Sequence, residues 1–163
     1  LNSNHNVTSG TCMDLQASAF FVYFEAELFI NFMSKTKIAE NQYYSIHVLP
    51  EKNRAYLRIR GFWRNTESVS EYLNDWKKAL SRLKKGLTLL TDASEMKTHP
   101  QDVRKLHEQA QSLVLKMEVK KVAEIIKDDV TEMQLDAVAK ITQFPKKNFV
   151  DPDEAEKWLD EAV

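Results

Sequence analysis

Residues 43–60, YYSIHVLPEKNRAYLRIR, decide how this chain is read. Side chains alternate along both halves, with Tyr44, Ile46 and Val48 on one side of the first run and Ala55, Leu57 and Ile59 on one side of the second. A period of two belongs to a strand with one buried face. Pro50-Glu51-Lys52-Asn53 between the runs is turn chemistry, so 43–49 and 54–60 pair as a hairpin. Gly61 and Phe62-Trp63 close the second strand.

Downstream the period changes. Val69, Tyr72, Leu73, Trp76, Ala79, Leu80 and Leu83 recur at three and four, which predicts a helix with one apolar stripe, and Gly86 is its expected stop. The short apolar run Leu87–Leu90 reads as a strand covered on both faces, leading into Thr91-Asp92-Ala93-Ser94. Pro100 opens a second helix with Val103, Leu106, Ala110, Leu113, Val114 and Met117 inward. Val122–Ile126 is a further strand. Asp129 and Glu132 form a capping box for a third helix, which is expected to bury Met133, Ala137, Val138 and Ile141 before Pro145 ends it. Asn148–Val150 is a last strand. Asp151-Pro152-Asp153-Glu154 starts a last helix, with Ala155, Trp158, Leu159 and Ala162 inward. The order ββαβαβαβα predicts one α/β domain whose sheet is mostly parallel, the hairpin strand 43–49 being the antiparallel exception.

Composition excludes more than it assigns. The 163 residues carry 23 basic and 24 acidic side chains, a net charge of -1, so no nucleic-acid partner is expected on charge grounds. Cys12 stands alone, without a disulfide or zinc partner, which reads as a cytoplasmic chain with no metal or cofactor. Gly10, Gly61 and Gly86 lie too far apart for a phosphate-cradling loop. The charges are unevenly placed: the first basic residue is Lys35, and residues 1–34 hold only Asp14, Glu25 and Glu27. The aromatic run 17–32 has no basic segment before it, is too short to span a bilayer and is interrupted by two glutamates. Residues 1–32 are therefore expected to lie outside the domain, with Met33 as the natural start.

The order of elements resembles the STAS domain, the fold of bacterial anti-anti-sigma factors, and more closely its stand-alone, SpoIIAA-like relatives, which share architecture with CRAL-TRIO lipid-binding domains. The resemblance rests on YSIHVLPEKNRAYLRIRGFW, LLTDASEM, KKVAEII and FVDPDEAEKWL, and covers residues 43–162. It implies regulation through protein contacts. In signalling members a strand ends in an Asp-x-Ser turn, matched here by Asp92-Ala93-Ser94, and a phosphorylatable serine follows at the next helix start. Counted from Asp92, that second position is Gln101, which accepts no phosphoryl group; Thr91, Ser94 and Thr98 are the nearby hydroxyls.

Two constellations are candidate sites. Asp92, Ser94, Thr98, His99 and Val103 gather where a parallel strand gives way to a helix, the place where open α/β sheets bind ligands. Tyr56, Arg58 and Arg60 alternate opposite the apolar side of their strand, and Tyr43, Ser45 and His47 do likewise on the first; paired, they make a basic and aromatic face able to bind phosphate or RNA if it is not simply the solvated side of the sheet. His107 is expected on a solvent face. No nucleophile has a recognisable base, so the expectation is a non-enzymatic interaction domain with a protein partner near 92–103; a carrier of a small nonpolar molecule or lipid between helices and sheet is the alternative.

Overall fold

The computed structural model describes residues 34–161. The segment 1–33, Ala162 and Val163 lie outside the described residues. Six strands form one sheet in sequential order: β1 (Thr36–Glu40), β2 (Tyr44–Leu49), β3 (Arg54–Gly61), β4 (Thr88–Met96), β5 (Lys121–Ile125) and β6 (Lys146–Phe149). Four α-helices accompany them: α1 (Tyr72–Leu80), α2 (Gln101–Lys116), α3 (Asp129–Thr142) and α4 (Pro152–Asp160). β2 pairs antiparallel with both β1 and β3, and every later pairing is parallel, so β2 alone runs against the rest. The hairpin has the register that alternation demands, with Tyr44 opposite Ile59, Ile46 opposite Leu57 and Val48 opposite Ala55.

β1 is an addition to the expected order. Its sequence, TKIAE, is too short and too charged to show a period, and its pairing is broken by an irregularity between Lys37 and Ala39. Charged residues on an outer strand discourage pairing with another chain.

Sequential strand order settles where the helices lie. Right-handed crossovers that always step the same way along a sheet put α1, α2 and α3 on one face. That front face buries Tyr44, Ile46, Val48, Ala55, Leu57, Ile59, Leu89 and Ala93 against Tyr72 and Trp76 of α1, Val103, Ala110 and Val114 of α2, and Leu135 and Ala139 of α3. α4 follows the last strand and folds onto the back face, where Ala155 and Leu159 cover Leu49, Tyr56, Leu90, Ala123 and Ile125. Its start is as expected, with Asp151 accepting from the amides of Asp153 and Glu154. Leu89 and Leu90 thus point into different cores, as the apolar run predicted.

Three expectations change. α1 ends at Leu80; Gly86 instead takes φ +78° at the entry to β4, where its amide donates to the Met117 carbonyl. Asp92-Ala93-Ser94 does not end a strand: β4 continues to Met96, and the register moves from Arg58–Asp92 to Arg60–Glu95, leaving one extra residue on β4 as a bulge. The cap of α3 is Asp128, which accepts from the Thr131 amide, one residue before the expected Asp129.

Candidate functional site

The bulge in β4 divides the first predicted constellation between two faces. At Asp92 the side chain faces the back, where its carboxylate lies 3.5 Å from the Arg58 guanidinium. Its Oδ1 also accepts from the Ser94 amide at 3.0 Å and the Ser94 hydroxyl at 2.6 Å, an Asx-type turn that holds the bulge. Thr98 is exposed, whereas Val103 is fully buried in the front core.

His99 is buried too. Its Nε2 faces the Gly61 carbonyl at 3.2 Å, which accepts, so Nε2 carries the proton and Nδ1 is left to accept from His107 Nε2 at 3.0 Å. Both imidazoles lie against the Trp63 indole, with centroids 4.9 and 5.0 Å away. Burial pushes His99 down to about 4 and His107 to about 3, and the neighbouring His99 lowers His107 further. His107 is therefore core, against the expectation of a solvent face; an imidazole that makes a hydrogen bond and stacks on indole is an acceptable apolar-stripe residue. Gln134 of α3 completes the arrangement by accepting from the His99 amide and donating to its carbonyl. The 97–100 loop is thereby tied to α3, and His99 is no base for Ser94.

The second constellation is divided as well. Tyr56 is covered by α4, and burial together with the Glu156 charge raises its phenol to about 12. Beside it Arg54 is wholly buried: Nε donates to Thr88 at 2.9 Å, while Nη1 bonds Glu156 and lies 2.9 Å from Asp160, both on α4. Arg58 and Arg60 extend beyond the helix. With Ser45, His47, Lys35, Glu40 and Asp92 they surround a concave region of about 340 Å³. Asp92 and Arg58, expected in separate groups, are brought together by adjacent positions on β3 and β4.

The remaining feature is one that the sequence pointed to wrongly. α3 buries Thr131, Gln134, Leu135, Val138 and Ala139, so the expected stripe is turned: Met133 and Ile141 are 72% and 67% exposed, Ala137 is exposed, and Val130 is 59% exposed. Apolar residues occupy more than half of this helix's circumference, and two arcs competed for the core. The polar residues Thr131 and Gln134 won because they bond the 96–99 loop, Thr131 through the Met96 carbonyl. The excess apolar width was the available signal. Beside Ala137, Val138 and Ile141, the α2 residues Gln101, Arg104, Lys105 and Glu108 complete a groove of about 200 Å³.

Between the front helices and the sheet, the cavity bounded by Tyr72, Trp76, Thr91, His107, Gln111 and Glu124 measures about 30 Å³. That is room for a water or two. A lipid pocket requires several hundred cubic ångströms, more than this cavity offers the nonpolar cargo that was the alternative expectation.

No family model matches the chain, and no curated protein matches it in sequence. Among solved structures it is similar to an uncharacterised protein from the DUF3478 family with a SpoIIAA-like fold, from Shewanella loihica PV-4, at 19% identity and a TM-score of 0.55, covering 74% of this chain and 97% of that one. The fold is SpoIIAA-like. No helix among the described residues is long and apolar enough to cross a membrane.

Proposed function

We propose that this chain is a non-enzymatic, SpoIIAA-like interaction domain that binds an acidic amphipathic helix of a partner protein along α3 and the groove between α3 and α2. The observation that carries this reading is the row Val130, Met133, Ala137 and Ile141, spaced three, four and four and open to water on a helix that already buries its other side. A partner helix presents apolar residues at the same spacing, and burying large side chains between the two supplies the driving force. The walls give the partner its charge. Arg104 and Lys105 border the groove on α2, and the buried Nε of Arg104 has no acceptor among the described residues. Glu108 is the opposing charge, leaving the walls basic on balance. An acidic helix matches that excess. Catalysis has less support, since the Ser94 hydroxyl is committed to Asp92 and the nearest imidazole is sealed against Trp63.

Site-specific photo-crosslinking from position 133 of the full chain, in its own host, tests the reading. Crosslinks should concentrate on an acidic helical segment of one protein, with yield falling severalfold in an Arg104→Glu, Lys105→Glu variant. Crosslinks to a second copy alone, or a product pattern identical to that from exposed Lys116, would overturn it.

A further inference from the structure

The open half of the back face has a chemistry of its own. α4 covers the sheet only as far as Tyr56 and Leu90, and the floor beyond it is recessed, with Ser45 5% exposed at its base. Cationic groups gather around this hollow: Lys35, whose Nζ sits 3.6 Å above the Tyr56 ring, Lys37, Arg58 and Arg60. They are not equally neutralised. Arg58 has two carboxylates, Asp92 and Glu95. Lys37 has Glu40 at 3.3 Å, and Lys35 reaches Glu156 at only 4.0 Å, a carboxylate already bound by Arg54. Among the described residues Arg60 has none within ion-pair distance, its strand partner Glu95 being bound to Arg58: Nη1 donates to the Asn41 carbonyl at 3.0 Å and Nη2 to the Ser45 hydroxyl at 3.4 Å, both neutral acceptors.

His47, across the hollow, registers the same imbalance. Burial holds its imidazole below the ordinary value, Glu40 opposes this, and Lys35, Lys37 and Arg60 add to it. A guanidinium held by neutral acceptors, with the Ser45 hydroxyl on it and the Lys35 ammonium lining the same hollow, has the donors that a phosphate or carboxylate group accepts. The hollow measures about 340 Å³, within the range of small-molecule sites, with Lys35 and Glu40 at one edge and Arg58, Arg60 and Asp92 at the other.

We infer that this hollow binds a small organic dianion, a molecule with a phosphate or carboxylate head, seated on Arg60 with Ser45 and Lys35 beside it. The site is independent of the α3 surface. Arg58 lies at its rim as an already neutralised charge and contributes less.

Amide and arginine side-chain NMR titrations of the full chain with glycerol 3-phosphate, succinate and, as a neutral control, glycerol, all at 150 mM salt, test the inference. At least one dianion should produce saturable shifts confined to residues 45–47 and 58–60 and the Arg60 guanidinium. Arg60→Gln should weaken that binding at least tenfold, and Arg58→Gln by less than threefold. Because Arg60 is partly exposed, the folded spectrum should persist; Lys35→Gln, at the rim, gives a second reading with an intermediate loss. Titration by glycerol 3-phosphate alone identifies a phosphate ligand and by succinate a carboxylate one. Absence of saturable shifts with both dianions, equal shifts with glycerol, or an unchanged affinity in Arg60→Gln would overturn the assignment.

Discussion

The two faces of the sheet are built on different principles. The front is closed by three helices over aromatic and aliphatic side chains, and its polar members, His99, His107 and Gln134, satisfy one another inside it. The back is closed over half its length by one nine-residue helix, and the join is ionic: Arg54 and Lys52 on the β2–β3 hairpin hold Glu156 and Asp160 on α4. Stability concentrates in the first face. The second keeps a water-facing half where charged groups are set by backbone register rather than by packing, which is the condition for a surface that binds.

The sharpest way to break this contrast is to empty the front. Trp63 is fully buried, anchors both imidazoles and donates its indole N–H to the carbonyls of Tyr43 and Arg60. Trp63→Ala should cost about 3–5 kcal/mol in urea unfolding, and a loss below about 1 kcal/mol would show that the face is not a single packed unit.

Acid should act on the same place. The folded-state values of His99 and His107 lie below the ordinary 6.5, at about 4 and about 3, so the unfolded chain takes up protons that the folded one refuses. Their contribution to stability is complete above pH 6.5, declines as the pH falls through that window, and levels off below the folded values. The physical reason is a clash of donors: a proton on His99 Nδ1 would face the His107 Nε2 proton across 3.0 Å. The part of the window above about pH 5 lies beyond the ordinary carboxylate range, so urea midpoints measured there should already slope downward toward acid, with His47 adding in the same direction. A flat profile from pH 7 to 5 would contradict the buried, neutral pair.

The back face should yield least. Glu156→Gln with Asp160→Asn leaves the buried Arg54 guanidinium with uncharged partners, and because both carboxylates are partly solvated the expected cost is about 2 kcal/mol. Hydrogen exchange should then rise in α4 and the inward residues of β3 while α1 to α3 keep their protection. Equal loss of protection on both faces would mean that the two layers unfold together and would remove the distinction drawn above.

Much of this was legible beforehand, and the limits have physical causes. The hairpin was readable to within one residue at its ends, and its inward face fully, because a one-position slip would turn Tyr44, Ile46 and Val48 to the other side. Asp151-Pro152 was readable because capping is local. His107 was not: a lone imidazole on a helix is polar by composition, and only the approach of His99, thirty-eight residues from its acceptor Gly61, makes it a core residue. α3 misled for the opposite reason, an excess of apolar positions among which local periodicity has no means to choose. The two candidate groups do not stay together as groups, since Asp92 lies against Arg58 and His99 against Trp63.

Sequence by itself determined what is carried by short-range rules: alternation, the switch to helical period, caps, turns, and from their succession a mostly parallel sheet. Tertiary structure alone decided the order of the strands, which arc of α3 meets the core, where the strand beside Arg58 bulges, how far α4 covers the back, and that Arg60 is held by neutral acceptors. Each of those depends on which side chains distant in the chain arrive at the same place, and free energies of burial and charge pairing are properties of that meeting rather than of any segment.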